Sequence, residues 1–398
     1  MNFKFPGLFK LYLLLLFPGY FFFHVAHSEG YASYVGWFGI FIVFTILLTS
    51  AKTGLYVLSG KQKVNLSSAI ISVPATAFFI YIIAATLINH AINTGSYITS
   101  DGMRWSLENI VLLIGLYIIG SRLSITTSRI FTLSLILCFM GFAFFTYLYY
   151  SPFNNTIWLP REVDPSTNTI ASYQSLAGAV VYTTTLCVFI KSRLLKSLTL
   201  TLSLATLYFI GSRTEFFLIL SIIPFYVYIN YGFRPTLAIA IASIPAILII
   251  LLYFGVNARY ASLISGGNER LLLLQSAIPG IIESPILGDY LGQVREYGTT
   301  AAYVHNALSV LQQYGIFAFM AYCYLTLMAL FVGLKQVRVA KQNRQVEILI
   351  YASIVSTVGI IASKAIAWPY PALAWGLACV ALKLTRKSKL SSIETAQN

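Results

Sequence analysis

Three short segments of the chain carry ionisable side chains at positions where chemistry is possible. They are the turn Gly211-Ser212-Arg213-Thr214-Glu215, the stretch 255–305 with Arg259, Arg270 and Arg295, and the segment Tyr303-Val304-His305-Asn306. A guanidinium group binds a phosphate or pyrophosphate through paired hydrogen bonds, and an imidazole accepts a proton near neutral pH. These residue types are therefore those that would bind an anion and accept a proton.

Each segment also has a purely structural interpretation. Arg213, at a helix end, is able to extend to the membrane surface and pair with Glu215. An exposed arginine of the long stretch, such as Arg295 beside Glu296, forms a local ion pair that contributes little. A lone histidine at a membrane boundary, such as His305, is also compatible with a structural role. The residues alone leave both interpretations open.

The composition limits the class of protein. The chain has 398 residues, of which 58% are hydrophobic and 10% are charged, and its mean hydropathy is +0.78. A soluble globular chain carries about 25% charged residues, so cytosolic enzymes and disordered proteins are excluded. The four cysteines each lie alone in an apolar run, which excludes a disulfide framework and a cysteine metal site. We therefore expect a polytopic membrane protein.

Long apolar runs predict the architecture. A helix that crosses a hydrocarbon core of about 30 Å needs about 20 apolar residues. Runs of this kind occur at 8–25, 31–48, 66–88, 107–119, 130–150, 170–190, 198–210, 216–231, 237–254, 307–334, 348–362 and 372–382. They predict an all-α fold, a polytopic helical bundle of about twelve transmembrane helices that forms one integral membrane domain over residues 1–398.

One connection is much longer than the others. Residues 255–305 form a loop before the tenth predicted helix, on the outer side, and we expect it to carry part of the site. Within it, the apolar piece 271–282 contains Pro279 and is expected to lie in the membrane interface as an amphipathic helix.

The distribution of charge predicts the orientation. With alternating spans and a cytoplasmic amino terminus, the inner side holds 19 basic and two acidic residues, and the outer side holds seven basic and ten acidic residues. The balance is +17 inside and −3 outside, which together give the net charge of +14. Basic residues favour cytoplasmic connections. Both termini are therefore expected in the cytoplasm, and the positive charge does not indicate a nucleic-acid partner.

The sequence lacks the motifs of nucleotide-dependent, metal-dependent and glycoside-hydrolase chemistry. The chain has no Gly-rich phosphate loop of the P-loop type. Its three aspartates, Asp101, Asp164 and Asp289, form no Asp-x-Asp pair that would hold a divalent metal ion, and no paired carboxylates of the glycoside-hydrolase type occur. We therefore expect neither a metal nor another cofactor.

The order of the outer motifs resembles the O-antigen polymerase and O-antigen ligase superfamily. Arg270 is followed by Ser284-Pro285-Ile286-Leu287-Gly288 and then by His305-Asn306, which leads to Gly315. Gly211-Ser212-Arg213 resembles the Ser-Arg element of the same families. Eight residues separate Asn306 from Gly315, and Ala318 stands where the ligases carry a second glycine. This stretch is therefore more similar to the polymerases of the Wzy type.

The resemblance implies a metal-independent glycosyltransferase of lipopolysaccharide biosynthesis in a bacterial inner membrane, with a periplasmic active site. Such an enzyme transfers the growing glycan from undecaprenyl pyrophosphate to a sugar hydroxyl of the next lipid-linked repeat unit. The implied general base is His305, the implied pyrophosphate ligands are Arg213 and Arg270 with Arg259 and Arg295 as further candidates, and Asn306 and Tyr303 support them. The implied partners are these lipid-linked oligosaccharides, membrane lipid and a regulator of polysaccharide chain length.

Two other functions stay open. An O-antigen ligase would use the same donor and residues but would transfer the glycan to the lipid A–core. A flippase for lipid-linked oligosaccharide belongs to a different class. The sequence disfavours a flippase because the predicted spans hold no acidic residue near their middle for proton coupling, and because the outward basic residues cluster on one face.

Overall fold

The structure is a computed structural model of the chain, and almost all of the part it describes is helical. The described residues are 6–29, 31, 36–58, 66–92, 100–123, 128–151, 156–157, 173–237, 266–298, 304–341 and 343–397. Within them, the extended structure is one antiparallel pair of two-residue strands, in which Tyr150 lies opposite Ile157. The expected all-α helical bundle is confirmed at this level.

The helices follow one another along the chain with short connections. They are α1 (Pro6–Ser28), α2 (Trp37–Leu58), α3 (Leu66–Ile92), α4 (Ser100–Arg122), α5 (Arg129–Tyr149), α6 (Tyr173–Leu186), α7 (Arg193–Ile210), α8 (Arg213–Tyr231), α9 (Gly266–Glu283), α10 (Gly292–Tyr297), α11 (Leu308–Lys335), α12 (Val337–Ala340), α13 (Arg344–Ala362) and α14 (Tyr370–Gln397). The strands are β1 (Tyr150–Ser151) and β2 (Thr156–Ile157), and a short 3-10 helix over Cys187–Phe189 follows α6.

Eight of the described helices are long and apolar enough to cross a membrane. They contain the spans Leu8–His27, Ser68–Ile92, Gly102–Arg122, Arg129–Tyr149, Arg193–Ile210, Arg213–Tyr231, Leu308–Lys335 and Arg344–Ala362. Three shorter apolar helices cover Trp37–Ala51, Gln174–Phe189 and Tyr370–Leu384. The expectation of a membrane protein with several transmembrane helices is therefore confirmed.

Eleven of the twelve predicted spans overlap one of these helices. The ninth, at 237–254, lies outside the described residues apart from its first position. Four predicted starts were too late by three residues or more, since α4, α7, α8 and α13 begin at Ser100, Arg193, Arg213 and Arg344 rather than at 107, 198, 216 and 348. For α7 and α13 the physical reason is an ion cluster that allows Lys196 and Glu347 to lie buried inside the first turns of the two helices.

This ion cluster lies in the first of two packing units, which comprises Met1–Phe41, Ser124–Ser265 and Arg338–Tyr351. Lys196 of α7 donates to one carboxylate oxygen of Glu347 over 2.7 Å, and Arg344 donates to the other oxygen over 2.7 Å. The Tyr351 hydroxyl also lies 3.0 Å from the first oxygen. Lys196 is 1% exposed and Glu347 is 0% exposed. The mutual neutralisation explains how these charges are buried.

The second packing unit comprises Ile42–Leu123, Gly266–Val337 and Ala352–Asn398, and it carries most of the outer motifs. Helices α3, α4, α11 and α14 pack against one another in it. The contact between α4 and α14 is close, because a Cβ at Gly120 would lie 2.2 Å from the Leu373 carbonyl oxygen and a Cβ at Gly376 would lie 2.2 Å from that of Tyr117. Small residues allow such close approach between membrane helices. This frame holds the candidate site.

Most of the described part of the long connection 255–305 is helical. Helix α9 includes the whole of the apolar piece 271–282, with Pro279 inside it. Its exposed side chains include Leu272 and Ile282, whereas Ala277 is buried. The predicted helix is therefore present, and its amphipathic character and placement in the membrane interface stay predictions.

Candidate active site

The site begins at the segment that leads into α11. Asn306 has a φ of 122°, which few residues other than glycine, asparagine and aspartate adopt. Its side-chain oxygen accepts a hydrogen bond of 2.8 Å from the Leu308 backbone N–H, and its backbone carbonyl accepts one of 2.9 Å from the Ser309 hydroxyl. Asn306 thus stabilises a strained turn at the start of the helix. The turn fixes the direction in which the side chain of the neighbouring His305 leaves the backbone.

The end of α13 and the turn after it form hydrogen bonds with the same segment. The Ala307 N–H donates to the Ile360 carbonyl over 2.7 Å, and the Ile366 N–H donates to the Ser309 hydroxyl over 2.8 Å. The His305 imidazole forms a third tie through a hydrogen bond to the Ser363 backbone. Three contacts therefore hold the segment from His305 to Ser309 against the turn that follows α13.

The glycines of the outer motifs are explained by one backbone contact. The Ile316 N–H donates to the Pro285 carbonyl over 2.9 Å. A Cβ at Gly315 would lie 2.0 Å from the Ile286 carbonyl oxygen, and a Cβ at Gly288 would lie 2.6 Å from the Tyr314 nitrogen. Gly315 also has a φ of +75° and Gly288 one of +79°. The Ser-Pro-x-x-Gly stretch and the early turns of α11 therefore pack backbone to backbone, as only glycine allows.

Side chains reinforce this contact from two directions. The Tyr81 hydroxyl of α3 donates to the Ile286 carbonyl over 2.7 Å. Gln313 accepts a hydrogen bond of 3.1 Å from the Leu291 N–H and donates one of 2.6 Å to the Gln293 side chain. The described stretch between α9 and α10 is thus attached to the helices of the second unit.

Two basic side chains flank the His305 imidazole within this unit. Arg270 lies in α9 and Lys364 lies in the turn after α13, and both act on the imidazole electrostatically. Burial lowers the pKa of His305 most, the charges of Arg270 and then Lys364 lower it further, and the hydrogen bond to Ser363 partly opposes them. The lowered pKa favours the uncharged imidazole, which is the form that accepts a proton.

An apolar groove begins beside this cluster. Its volume is about 240 Å³, and its lining runs from Asn306 past Phe319 and Leu327 of α11 and includes Ile360 and Ile361 of α13. Leu327 and Ile361 are largely exposed, so the groove opens on an apolar outer face of the helices. Asn306, which adjoins His305 in sequence, is among the residues that line the groove, whereas the lining in the described part of the chain includes no basic side chain.

Arg295 has a different environment. Its guanidinium donates to the Asp289 carboxylate over 2.8 Å, and not to the neighbouring Glu296 that the sequence suggested. Asp289 is in turn closely packed, because a Cβ at Gly280 would lie 2.2 Å from its carboxylate. Arg295 thus connects α10 to the turn that follows α9, and its contact with an anion stays a prediction.

Arg213 belongs to the first packing unit, whereas Arg270, Arg295 and His305 belong to the second. It is the first residue of α8, after Gly211, which ends α7 with a φ of 75°. The hydroxyl of Ser212 donates to the Glu215 carboxylate, and both residues are buried. The turn therefore holds Arg213 at a defined position, half-buried, at a helix start.

Two predicted residues, Arg259 and Tyr303, lie outside the described residues. Conversely, sequence reasoning did not assign Lys364 to the site. The signal was present, because Lys364 is one of the few basic residues on the predicted outer side. Lys364 lies near His305 because α11 and α13 are in contact, and no local sequence pattern shows that contact.

The described residues form no metal-ligand cluster. Within the described part of the chain, no three histidine, cysteine, aspartate or glutamate side chains could hold a metal ion together, and the four cysteines are free thiols. In comparisons with known protein families and with curated proteins, the chain has no match.

Proposed function

We propose that the protein is a glycosyltransferase that polymerises undecaprenyl-pyrophosphate-linked O-antigen repeat units at the periplasmic face of a bacterial inner membrane. In this proposal the chain spans the membrane about twelve times, both termini are cytoplasmic, and residues 255–305 lie on the periplasmic side. The observation that carries the proposal is His305 under the electrostatic influence of Arg270 and Lys364, next in sequence to Asn306, which lines an apolar groove.

The reaction assigns a role to each group. One nitrogen of His305 is oriented by the bond to Ser363, and the other takes the proton from the acceptor sugar hydroxyl. The hydroxyl oxygen then forms a bond to the anomeric carbon of the donor sugar, and the bond between that carbon and the pyrophosphate oxygen breaks. Arg270 stabilises the negative charge that develops on the leaving pyrophosphate. The energy comes from the lipid pyrophosphate, so no nucleotide is needed.

The motif frame supports this assignment. The same backbone contact that requires Gly288 and Gly315 fixes the outer loop on the helix that follows His305. Catalytic groups must be held within fractions of an ångström of their productive positions. Asn306 and the end of α13 supply that rigidity. Arg213 is proposed as a further pyrophosphate ligand, and a chain-length regulator as a protein partner.

The test is a lipopolysaccharide gel of cells that lack the gene and are complemented with the wild type, His305→Ala or His90→Ala. We expect the full ladder with the wild type, and core with a single repeat unit with His305→Ala. Loss of a general base lowers a rate about 10²–10⁴-fold. His90 is a matched control, because it is another histidine of the second unit that has no role in the proposed site.

The alternatives give different gels. Bare core with polymer stranded on the lipid carrier in the deletion strain would indicate the ligase, which uses the same donor. A full ladder with His305→Ala, at wild-type protein levels, would remove His305 from catalysis. Accumulation of repeat units on the cytoplasmic side in the deletion strain would indicate the flippase.

A further inference from the structure

We propose that the turn Tyr290–Gln293 and the second turn of α11 form a binding site for a neutral sugar, in which the Gln293 amide N–H group and the Gln312 amide oxygen bind sugar hydroxyl groups. This inference deepens the proposed function and rests on it for the source of the sugar, a lipid-linked repeat unit. The class of ligand follows from the site itself, all of which lies in the second packing unit.

The first argument is the position of the turn, which Gln313 of α11 fixes. The side-chain oxygen of Gln313 accepts a hydrogen bond of 3.1 Å from the Leu291 backbone N–H, and its amide nitrogen donates one of 2.6 Å to the side-chain oxygen of Gln293. Because a backbone N–H can only donate, this chain of bonds sets the orientation of both amide groups. The amide N–H group of Gln293 is therefore the donor that remains for a ligand.

The second argument is that a donor and an acceptor are buried here without a hydrogen-bond partner among the described residues. They are the Nε2 atom of Gln293 and the Oε1 atom of Gln312. Gln293 is 1% exposed and Gln312 is 4% exposed. The Gln312 backbone packs against the same outer stretch, because a Cβ at Gly288 would lie 2.7 Å from its carbonyl oxygen. Native proteins leave few buried polar groups unsatisfied, so this pair indicates a ligand that both donates and accepts.

The third argument is strain in the backbone of the turn. Leu291 has a φ of 56° and is 0% exposed. The left-handed region is unfavourable for a residue with a Cβ, and such strain concentrates at functional sites, where the surrounding structure maintains it. The bond from the Leu291 N–H to Gln313 supplies that support. The strained residue and the unpartnered amide of Gln293 thus occur in the same turn.

Neighbouring hydroxyl groups extend the site toward α3 and α4, which pack against each other. The Tyr290 and Tyr314 ring centres are 6.3 Å apart, and the Tyr81 hydroxyl of α3 lies 3.1 Å from the Tyr314 carbonyl oxygen. The hydroxyls of Thr86 in α3 and Ser106 in α4 act on the Tyr290 hydroxyl. Both residues are 0% exposed, and in the described part of the chain neither hydroxyl has a hydrogen-bond partner.

The chemistry of these groups favours a neutral ligand. Amides and hydroxyls supply donors and acceptors without charge, and the carboxylate that precedes the turn, Asp289, is paired with Arg295 over 2.8 Å. A buried charge without a counter-charge is costly. Each sugar hydroxyl both donates and accepts a hydrogen bond, and the tyrosine rings add apolar surface. A sugar therefore fits this set of groups better than an anion does.

Access to the site depends on α10. Because Gln293 and Gln312 are enclosed, a ligand reaches them only when α10 moves away from α11. Helix α10 lies between two left-handed residues, Leu291 and Gly298, of which the second has a φ of 68°. A few residues at element ends absorb the backbone rotation in hinge motions. We expect Leu291 and Gly298 to be those residues here.

The experiment is saturation-transfer difference NMR on the full-length protein in lipid nanodiscs. The neutral probes are glucose, galactose and N-acetylglucosamine, and glucuronate is the charged probe. The wild type is compared with Gln312→Met, which removes the acceptor from a side chain of similar length, and with Ser353→Ala. Ser353 is the matched control, because its hydroxyl is also buried without a hydrogen-bond partner among the described residues of the second unit but lies in α13.

We expect at least one neutral sugar to receive saturation from the wild type and from Ser353→Ala with similar dissociation constants. Gln312→Met should raise that constant about fivefold to tenfold, because one neutral hydrogen bond is lost. Glucuronate should bind more weakly than the neutral sugars, because burial of its carboxylate is not compensated.

Thermal unfolding separates a binding role from a structural one. Because the Gln312 side-chain oxygen has no partner within the protein, Gln312→Met should leave the unfolding midpoint unchanged while it weakens sugar binding. Ordered water is the structural alternative, since a buried water also satisfies a donor and an acceptor. In that case no sugar would receive saturation, and Gln312→Met would lower the unfolding midpoint.

The proposal is overturned if no neutral sugar binds the wild type, or if Gln312→Met binds the sugars as tightly as the wild type does. Its failure is distinct from that of the proposed function. Sugar binding that depends on Gln312, in a protein whose deletion leaves the lipopolysaccharide ladder intact, retains the sugar site and removes the polymerase. A ladder that requires His305, with sugar binding unchanged in Gln312→Met, removes the sugar site alone.

Discussion

The two packing units each contain a cluster of charged groups, and the clusters differ in how their charge is balanced. In the first unit, the two oxygens of Glu347 receive Lys196 and Arg344, so the cluster is satisfied by the protein itself. In the second unit, the charged groups that act on His305, Arg270 and Lys364, are both positive. One cluster is neutralised by pairing of opposite charges, and the other combines two positive groups with a half-buried imidazole.

The comparison separates stability from function. Burying a carboxylate with its cations adds little net stability, but removing one partner leaves an uncompensated buried charge. Ionisable groups whose pKa is perturbed by burial and by neighbouring charge, such as His305, concentrate at functional sites. Substitutions in the first cluster should therefore lower stability, whereas substitutions in the second should lower activity and leave the fold intact.

The largest effect on stability is expected for Glu347→Gln, which leaves Lys196 buried without a carboxylate. Breaking a buried pair costs about 3–5 kcal/mol of unfolding free energy. Thermal unfolding of the purified protein measures it, and Arg270→Gln, in the second cluster, is the matched comparison with a shift of at most about 0.5 kcal/mol.

The double variant Lys196→Met with Glu347→Leu sharpens the result. Because both charges are removed together, most of the loss should be recovered. A double variant as unstable as Glu347→Gln would mean that the packing around these residues, and not their charge, holds the first cluster. The two clusters would then not differ in the way proposed.

The next effect is expected for Gly315→Ala, in the frame that positions the second cluster. The new Cβ would overlap the Ile286 carbonyl, from which it would be 2.0 Å away, and the residue would keep a φ of +75°. We expect a loss of about 2–4 kcal/mol and loss of the polysaccharide ladder. Gly298→Ala is the control, since Gly298 has a φ of +68° but no atom within 4 Å of the new Cβ.

The control separates backbone strain from collision. Gly298→Ala should cost about 1–2 kcal/mol and retain the ladder. If both variants lost the same stability and the same activity, the contact between the Ser-Pro-x-x-Gly stretch and α11 would not position the site, and the motif glycines would need another explanation.

The fold was more predictable from the sequence than the site. Transmembrane helices require long apolar runs, and these are visible in one dimension, so α3, α5 and α11 were located closely. The boundaries of α7 and α13 were missed because they depend on the Lys196–Glu347 pair, whose members are 151 residues apart. Lys364 was missed as a site residue for the same reason. Pairings between distant segments are properties of the packed helices and leave no local pattern.

The motif residues show an intermediate case. The order of Arg270, Gly288, His305 and Gly315 was visible, and it gave the hypothesis of a shared site. The reason for the glycines was not visible, because it consists of backbone atoms of Pro285 and Ile286 that approach α11. The motif therefore singled out Gly288 and Gly315, and the structure explains why glycine is needed at these two positions.

The smallest effect is expected for Arg295→Ala, and it tests the comparison at its boundary. Arg295 lies in the second unit, but it is paired with Asp289 in the manner of the first cluster. The pair is half exposed on the arginine side, so its loss should cost less than about 1 kcal/mol of unfolding free energy. Because the guanidinium already has an internal partner, the lipopolysaccharide ladder should also stay unchanged. A clear loss of the ladder at wild-type protein levels would show that a paired arginine of this loop exchanges Asp289 for the substrate, and balanced charge would then no longer distinguish a structural cluster from a binding one.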